Sequence, residues 1–513
     1  MEHLFDKLLR NADSDLYPCH MPGHKRTGWG KLPSQLYRMD ITEIDGFDDL
    51  HQPEGILLEL QKKAARLCGA EESFYLVNGS TGGILSAVSA ALPAGGHILM
   101  ARNCHRSAYH AAYLRNLKVS YLYPQILREY DIFEAITPAQ VRRALEATPD
   151  AGAVLVVSPT YEGRIADIAG IAESVHEKGI PLIVDEAHGA HLGFSGLVHE
   201  NSCRQGADLV IQSVHKTLPA LTQTALLHVN GERIDRELLK RFLRIYQSSS
   251  PSYLLMASID NALQYLEQDG EKAFAEFRRR YDGMRESLSR CKALRFLPAD
   301  EKRQDIGKLL ISVKNTEMTG RQLYDILLNR YRIQPEMAAE SYVLAMFTVN
   351  DRQEGYDRMV EALLETDSRL LQTECPPLEI CPDASCKDAV CPESVGTESA
   401  ACPESIGIEG IACPESIGIE GTANSESIGM EAVGLAEAWD GSREEVCLQD
   451  SAGRLAGEFV NLYPPGVPLL VPGERITSEM CQQICNWLRQ GLTVQGVNFR
   501  NGKQFVKVLR NRD

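Results

Sequence analysis

Between residues 70 and 230, short apolar runs alternate with longer segments in which apolar residues recur every three or four positions. The short runs predict buried strands, and the longer segments, such as Pro138–Ala147 (N-cap Thr137) and Ile168–Lys178, predict amphipathic helices. The predicted strands are Ser73–Val77, His97–Ala101, Val119–Tyr123, Ala153–Val157, Pro181–Val184, Leu209–Ile211 and Ala225–Val229. This alternation predicts an α/β fold with a largely parallel sheet and helices on both faces. Such sheets bind ligands at the carboxyl ends of their strands.

The pattern changes after residue 230, and at 513 residues the chain is long enough for two or three domains. Residues 232–290 have the pattern of helices. An α+β pattern follows, with a strand at Leu309–Val313 and a helix at Gly320–Tyr331, and a further helix is predicted near Ser478–Arg489. The predicted division is an N-terminal segment (1–45), a large domain (46–290), an insert (372–434) and one small domain in two pieces (291–371 and 435–513).

The insert contains a repeat with a period of 11 residues, marked by Cys391, Cys402, Cys413 and Asn424. A metal site is not expected, because the cysteines lack the close C-x-x-C pairing that zinc sites favour. Glycine or proline in every unit and few aromatic residues predict a disordered acidic insert. Twelve acidic residues and one lysine lie between 372 and 434, so most of the net charge of −17 is local to this segment.

Composition excludes several classes of protein. The negative net charge argues against nucleic acid as a partner. No apolar run approaches the roughly 20 residues of a membrane helix. The first residues lack the basic and apolar regions of a signal peptide, so a cytoplasmic location is expected. For a cytoplasmic chain, the fourteen cysteines are expected to be free thiols.

Lys216 is the most informative residue for chemistry, because it follows a predicted strand that ends in Ser-x-His-Lys. Another apolar strand ends in Asp185, 31 residues earlier. This pair suits a pyridoxal phosphate (PLP) enzyme, in which a lysine forms a Schiff base with the cofactor aldehyde. An aspartate keeps the pyridine nitrogen protonated, so that the ring can accept electrons. The alternative for Lys216 is an ordinary solvated surface lysine.

Residues 78–83 (Asn-Gly-Ser-Thr-Gly-Gly) follow a predicted strand and begin an apolar helix. Free backbone N–H groups at a helix N-terminus, with two hydroxyls beside them, can hold a phosphate. We therefore expect Ser80, Thr81 and Gly82 to bind the PLP phosphate. An ordinary glycine-rich turn is the alternative.

Other polar residues also follow predicted strands. His105 could lie flat against the pyridine ring and handle a proton, and its alternative is a histidine at a helix start bonded to the backbone. The hydroxyl of Thr160 or Tyr161 could reach the ring oxygen of the cofactor. The remaining candidates for contact with the ring or phosphate are His188, Ser213 and His215. Their order at successive strand ends is more specific than any one of them.

With these motifs, the sequence resembles the ornithine/lysine/arginine decarboxylase family of fold-type-I PLP enzymes, in its short bacterial form. The resemblance spans nearly the whole chain except 372–434. It is carried by residues 18–25 (Pro-Cys-His-Met-Pro-Gly-His-Lys), 40–43, 48–51, 53–55, 78–83, 102–107, 185–191, 213–223, 249–253 and 463–474 (Tyr-Pro-Pro-Gly-Val-Pro-Leu-Leu-Val-Pro-Gly-Glu).

The resemblance implies that Lys216 is the Schiff-base lysine, that Asp185 lies at the pyridine nitrogen and that His105 stacks on the ring. It also implies phosphate contacts from Ser80, Thr81, Ser213 and His215. A homodimer with active sites at the subunit interface is implied as well. Because no receiver-like domain precedes Pro18, a dimer or a dimer of dimers is expected. Candidates for residues that the neighbouring subunit lends are Ser249, Ser250 and 23–25.

The implied reaction is decarboxylation of a basic amino acid to its amine and carbon dioxide, in polyamine biosynthesis. Arginine is favoured as the substrate, followed by lysine and ornithine. A cationic side chain requires a carboxylate at the far end of the pocket. The candidates, which one sequence cannot rank, are Glu43, Asp45, Asp48, Glu458 and Glu474.

Two alternatives remain open at this point. An aminotransferase or aldolase on the same fold is one, since Arg454 or Arg475 could bind the α-carboxylate of an aminotransferase substrate. The other is a catalytically inactive PLP-binding regulator with the acidic repeat as an interaction arm. The presence of every inferred catalytic residue disfavours this second alternative.

Overall fold

The computed structural model describes residues 2–27, 31–300, 303–372, 433–464 and 466–510, and the backbone of 428–430. Most of the predicted insert lies outside these residues, so its disorder stays a prediction. None of the helices in the described ranges is long and apolar enough to cross a membrane. The eight cysteines in these ranges are free.

The elements of the N-terminal part and the large domain alternate as the apolar pattern predicts. They are α1 (Leu4–Ala12), α2 (Ser34–Met39), α3 (Ile56–Cys68), β1 (Glu72–Leu76), α4 (Gly79–Ala91), β2 (His97–Ala101), α5 (Arg106–Leu114), β3 (Lys118–Leu122), β4 (Ile126–Leu127), β5 (Ile132–Phe133), α6 (Pro138–Ala147), β6 (Ala153–Val157), α7 (Ile168–His176), β7 (Leu182–Asp185), β8 (Leu209–Gln212), α8 (Val214–Thr217), β9 (Ala225–Val229), α9 (Arg236–Tyr246) and α10 (Tyr253–Leu288).

The remaining elements belong to the two later parts of the chain. They are β10 (Arg295–Phe296), β11 (Lys308–Ser312), α11 (Gly320–Asn329), β12 (Met337–Ala338), β13 (Tyr342–Met346), α12 (Gln353–Leu371), β14 (Ile428–Met430), α13 (Leu435–Asp440), β15 (Arg443–Cys447), β16 (Val460–Leu462), β17 (Pro468–Leu470), α14 (Ser478–Arg489), β18 (Val494–Gln495), β19 (Asn498–Arg500) and β20 (Lys503–Leu509).

The main sheet has the strand order β1-β9-β8-β7-β6-β2-β3-β14. The five strands from β8 to β3 are parallel neighbours, whereas β9 runs antiparallel to both β8 and β1. The predicted α/β fold with a largely parallel sheet is therefore confirmed. Because β7 and β8 are parallel neighbours, their carboxyl ends meet at one edge of the sheet.

Helix α4 packs closely on this sheet because glycine stands at position 83. A Cβ atom there would lie 2.7 Å from Leu76 Cδ1 and 2.9 Å from Ile211 Cγ2. Helix α6 begins at the predicted N-cap, where the Thr137 hydroxyl accepts from the Gln140 N–H and the Gln140 side chain accepts from the Thr137 N–H. Local capping and close packing thus fix where these helices start and how near they approach the strands.

The two later parts build separate sheets. One has the order β10-β11-β13-β12, and the others are β15-β20-β19 and β17-β16-β18. Leu462 and Leu492 of the C-terminal part share an apolar cluster with Leu310 and Leu344 of β11 and β13. The two parts therefore meet through side chains and not through shared strands.

At the end of the predicted insert, the structure has a strand where the sequence predicts disorder. Strand β14 at Ile428–Met430 pairs antiparallel with β3. The edge of β3 offers unpaired backbone N–H and C=O groups, which a following segment can occupy whatever its side chains are. Sequence patterning does not detect such a short edge strand.

Candidate active site

The carboxyl ends of β7 and β8 bring together Asp185, His188 and Lys216, the three residues that we call the catalytic edge. Asp185 is the last residue of β7, and Lys216 lies on the single-turn helix α8 that follows β8. The Nζ of Lys216 lies 3.1 Å from Nε2 of His188. Lys216 thus lies close to the Asp185–His188 segment, which is far from it in sequence, because strands β7 and β8 are adjacent and parallel.

Burial acts on the ionisation of all three groups. It lowers the pKa of the Lys216 amine, an effect that the charges of Asp185 and Glu336 oppose. It raises the pKa of the Asp185 carboxyl, which the charge of Lys216 and a hydrogen bond from the Ala187 N–H offset in part. Burial and the charges of Lys216 and Lys308 hold the pKa of His188 well below its usual range, so its imidazole is neutral.

His105 is the N-cap of α5, and its Nδ1 lies 3.2 Å from the Ser107 backbone nitrogen, which donates to it. Burial, followed by the charge of Lys216, lowers the pKa of His105 to about 4. A Cβ atom at Gly466, in the loop before β17, would lie 3.6 Å from the His105 ring. The backbone bond matches the alternative for this residue, and the effect of the Lys216 charge on its pKa places the ring near the catalytic edge.

The N-terminus of α4 lies at the same side of the sheet. Gly79 has a φ of +68°, which favours glycine, and its N–H donates to the carbonyl of Gln223 at 3.0 Å. Within the described residues, no backbone carbonyl accepts from the N–H groups of Ser80 and Thr81. These donors are free for an anion. Gly82, in the same turn, is buried.

Ser213 and His215 flank the turn that carries Lys216. The Ser213 hydroxyl is buried and has no hydrogen-bond partner among the described residues. Burying a hydroxyl without a partner is costly, so this atom is suited to a ligand. Nδ1 of His215 donates to the Thr224 carbonyl at 2.8 Å, which leaves its Nε2 as an acceptor.

Thr160 and Tyr161 differ in what their hydroxyls contact. The Thr160 hydroxyl donates to Glu162 at 3.2 Å and accepts from the Arg164 N–H at 3.1 Å, both within its own turn. The Tyr161 hydroxyl donates to Glu336, and its ring meets His188 edge-on at 4.8 Å between centroids. Tyr161 is therefore the one of the pair whose side chain borders the catalytic edge.

Sequence reasoning missed two charged residues that face the catalytic edge from the second part of the chain. Lys308, at the start of β11, is 2% exposed, and its Nζ lies 2.8 Å from Nδ1 of His188. Glu336 precedes β12, is exposed, and its charge raises the pKa of both Lys216 and Lys308. We call Lys308 and Glu336 the opposite wall. The available signal was weak: a lone lysine beginning an otherwise apolar strand.

Three of the predicted substrate carboxylates, Asp48, Glu458 and Glu474, have strong partners in the structure. Asp48 accepts from the backbone N–H groups of Glu54, Gly55 and Leu57, and these bonds lower its pKa although burial alone would raise it. Glu458 accepts from Trp439 at 3.0 Å. Their carboxylates thus stabilise the fold.

Glu474 accepts two bonds from Arg102, at 2.8 and 2.9 Å, in a largely buried bidentate pair that joins the C-terminal part to the large domain. Of the remaining candidates, Asp45 is exposed. One carboxylate oxygen of Glu43 is buried without a partner among the described residues. The structure therefore leaves fewer carboxylates available than the sequence did.

These side chains fit the chemistry of PLP. The unpartnered Ser213 hydroxyl and the free N–H groups at the start of α4 suit its phosphate. A buried carboxyl at the end of β7 suits its pyridine nitrogen, and a lysine of lowered pKa suits its aldehyde. The residues present would thus suit an aromatic phosphate that carries an aldehyde.

Comparison with known proteins agrees with this geometry. Residues 3–324 match the model of the Orn/Lys/Arg decarboxylase major domain, and residues 429–496 match the C-terminal domain of the same family. An arginine decarboxylase of Bacillus subtilis (strain 168) is 30% identical over 506 residues, covering 96% of this chain and 95% of the relative.

Solved structures show the same fold. A lysine decarboxylase of Francisella novicida superposes with a TM-score of 0.80 at 15% identity, covering 99% of this chain and 81% of that one. The constitutive lysine decarboxylase of Escherichia coli gives a TM-score of 0.77 at 19% identity, covering 99% and 82%. The chain therefore belongs to the Orn/Lys/Arg decarboxylase family of fold-type-I, PLP-dependent enzymes.

Proposed function

We propose that this chain decarboxylates arginine, with lysine and then ornithine as the next candidates, and that the amine product enters polyamine biosynthesis. The observation that carries the proposal is the catalytic edge: a lysine of lowered pKa in the electrostatic reach of a buried aspartate. A relative that matches 96% of this chain is named an arginine decarboxylase, which supports arginine over lysine.

Bound PLP would supply an electron sink for the pair of electrons that the departing carboxyl group leaves behind. Lys216 would hold the cofactor aldehyde and give way to the substrate amine. Asp185 would keep a proton at the pyridine nitrogen. Ser80, Thr81, Gly82, Ser213 and His215 would hold the phosphate.

The substrate carbon from which carbon dioxide leaves must be protonated before the amine departs. Lys216 and His105 are the candidates for this proton transfer, since both face the same side of the sheet edge. His105 is neutral near pH 7, because burial lowers its pKa to about 4. Lys216, once displaced from the cofactor, would carry the proton more readily.

A cationic substrate needs an anionic partner, and we propose Glu336 for that role. Its carboxylate is exposed, accepts from Tyr161, and is near enough to raise the pKa of Lys216. A guanidinium group would gain charge-assisted hydrogen bonds there. Thr160 stays a weaker candidate for the cofactor ring oxygen, because its hydroxyl is already bonded within its turn.

We further propose a cytoplasmic homodimer, or a dimer of dimers, in which the neighbouring subunit completes the active site. The exposed Ser249 and Ser250, and residues 23–25, are the candidates for the lent groups. Light scattering on the purified holoenzyme gives the assembly size. A monomer with full activity would contradict this part of the proposal.

The test of function is product analysis with purified protein, PLP and arginine, lysine or ornithine in parallel. The proposal predicts carbon dioxide and the amine in equal amounts from one of the three, and neither from Lys216→Ala. A keto acid without carbon dioxide would indicate an aminotransferase. Cofactor binding with no turnover of any of the three would favour a regulator or an enzyme of another class.

Deleting 372–434 separates the regulator, which would lose a partner, from the enzyme, which would keep its turnover.

A further inference from the structure

Lys308 is a buried cation that none of the proposed catalytic steps uses. Its Nζ lies 2.8 Å from Nδ1 of His188, while Nζ of Lys216 lies 3.1 Å from Nε2 of the same ring. One imidazole thus joins two lysine amines across the boundary between the catalytic edge and the opposite wall.

The protonation of this imidazole restricts both amines. A neutral imidazole has one N–H donor and one acceptor nitrogen, whereas an ammonium group has three donors and no acceptor. His188 is neutral because it is buried between the two lysines. Only one lysine can therefore donate to the ring as a cation, and the other must accept from it as an uncharged amine.

The surroundings of the two amines indicate which one is the cation. Lys308 Nζ has a second acceptor in Met346 Sδ at 3.3 Å, and it lies 5.8 Å from the centre of the Tyr161 ring. Burial lowers the pKa of Lys308 to about 8, and the charge of Lys216 adds to this effect. The carboxylates of Asp305, Glu336 and Glu162 oppose it, so Lys308 is still a cation at pH 7.

Lys216 has fewer such neighbours. Within the described residues, His188 is the one hydrogen-bond partner of Lys216 Nζ. Asp185 and Glu336 are the carboxylates that favour its charge. By its second acceptor and its larger number of neighbouring carboxylates, Lys308 is therefore the better place for an ammonium group.

We propose that Lys308 is a positioning residue: as a cation it donates to His188 Nδ1, fixes the Nε2–H tautomer, and favours the uncharged, nucleophilic form of Lys216 over its protonated form. A lysine next to another cation is activated in this way, because its own protonation is disfavoured. The same Nε2–H would be a donor towards any oxygen that replaces the Lys216 amine beside it. The inference rests on the proposed role of Lys216.

The test is the pH titration of the visible absorption band of the PLP-loaded protein, which reports protonation of the Lys216 nitrogen. Lys308→Met removes the charge with little change in volume, and we expect the midpoint to rise by about one pH unit or more. Lys308→Arg keeps the charge and should stay nearer to wild type. The matched control is Lys63→Met, since Lys63 is 4% exposed and paired with Glu267 at 2.9 Å. That variant should titrate as wild type does.

An unchanged midpoint in Lys308→Met, or equal shifts in Lys308→Met and Lys308→Arg, would overturn the inference. If Lys308→Met does not fold or bind PLP, 15N-histidine NMR on the wild-type protein tests the same claim, with His188→Asn for assignment. The inference predicts an unprotonated Nδ1, and a protonated Nδ1 would overturn it. The proposed function would instead be refuted if the wild-type protein shows no visible absorption band, or shows one that persists in Lys216→Ala.

Discussion

The catalytic edge and the opposite wall differ in how the chain builds them. The catalytic edge consists of residues at the end of parallel strands β7 and β8 or within four residues of it, so its motifs are continuous in sequence. The opposite wall consists of two single residues: Lys308 begins strand β11 of an antiparallel sheet, and Glu336 directly precedes strand β12 of the same sheet. Site residues at strand ends can thus be predicted from the sequence. Site residues that a second sheet supplies can be identified only from the folded structure.

Neutralising the catalytic edge should have the largest effect. Asp185→Asn removes the carboxylate proposed to keep the pyridine nitrogen protonated, so kcat is expected to fall by about a hundredfold or more. Steady-state kinetics on the PLP-saturated variant measure this. The control is Asp167→Asn, at the N-cap of α7, where asparagine caps equally well. If Asp185→Asn is as active as Asp167→Asn, the catalytic edge does not have the larger effect on turnover that we expect.

Neutralising the opposite wall should affect substrate binding more than turnover. Glu336→Gln is expected to raise KM for the basic amino acid about tenfold with a smaller change in kcat, because one charge-assisted interaction is lost. Glu458→Gln is the matched control, since that carboxylate is bonded to Trp439 and Arg443. If the control raises KM and Glu336→Gln does not, the substrate carboxylate lies in the C-terminal part.

The smallest expected effect concerns stability and its dependence on pH. The pKa of His105 in the folded protein, about 4, is below its ordinary value of about 6.5. Between these values the unfolded chain binds more protons than the folded one, so stability falls as the pH is lowered through this window. His105→Asn should show a shallower loss in urea unfolding. Above about pH 7 the difference between the two proteins should be constant, and equal slopes below that pH would contradict the assignment.

Much of the fold could be predicted because its signals are local. The helices at Pro138–Ala147 and Ser478–Arg489 have the predicted limits, since N-caps and amphipathic spacing determine them within a few residues. Strand β14 and the separate sheets of the small parts could not be predicted. They depend on backbone pairing and on which apolar faces meet across long stretches of chain.

The candidate site divides in the same way. The positions of Asp185 and Lys216 beside each other follow from two strand-end motifs and the rule for parallel sheets. The contact of Lys308 with His188 spans 120 residues, and no motif marks its Lys308 end. Likewise, the pairing of Glu474 with Arg102 could not be inferred from one sequence, which left Glu474 among the substrate carboxylates.

The most direct test of the account is the release of labelled carbon dioxide from carboxyl-labelled arginine by the PLP-loaded wild-type protein. The account predicts one carbon dioxide for each amine formed, and no release above background from Lys216→Ala. Equal release from Lys216→Ala, or amine formation without carbon dioxide, would contradict the assignment of the catalytic edge as a decarboxylase site.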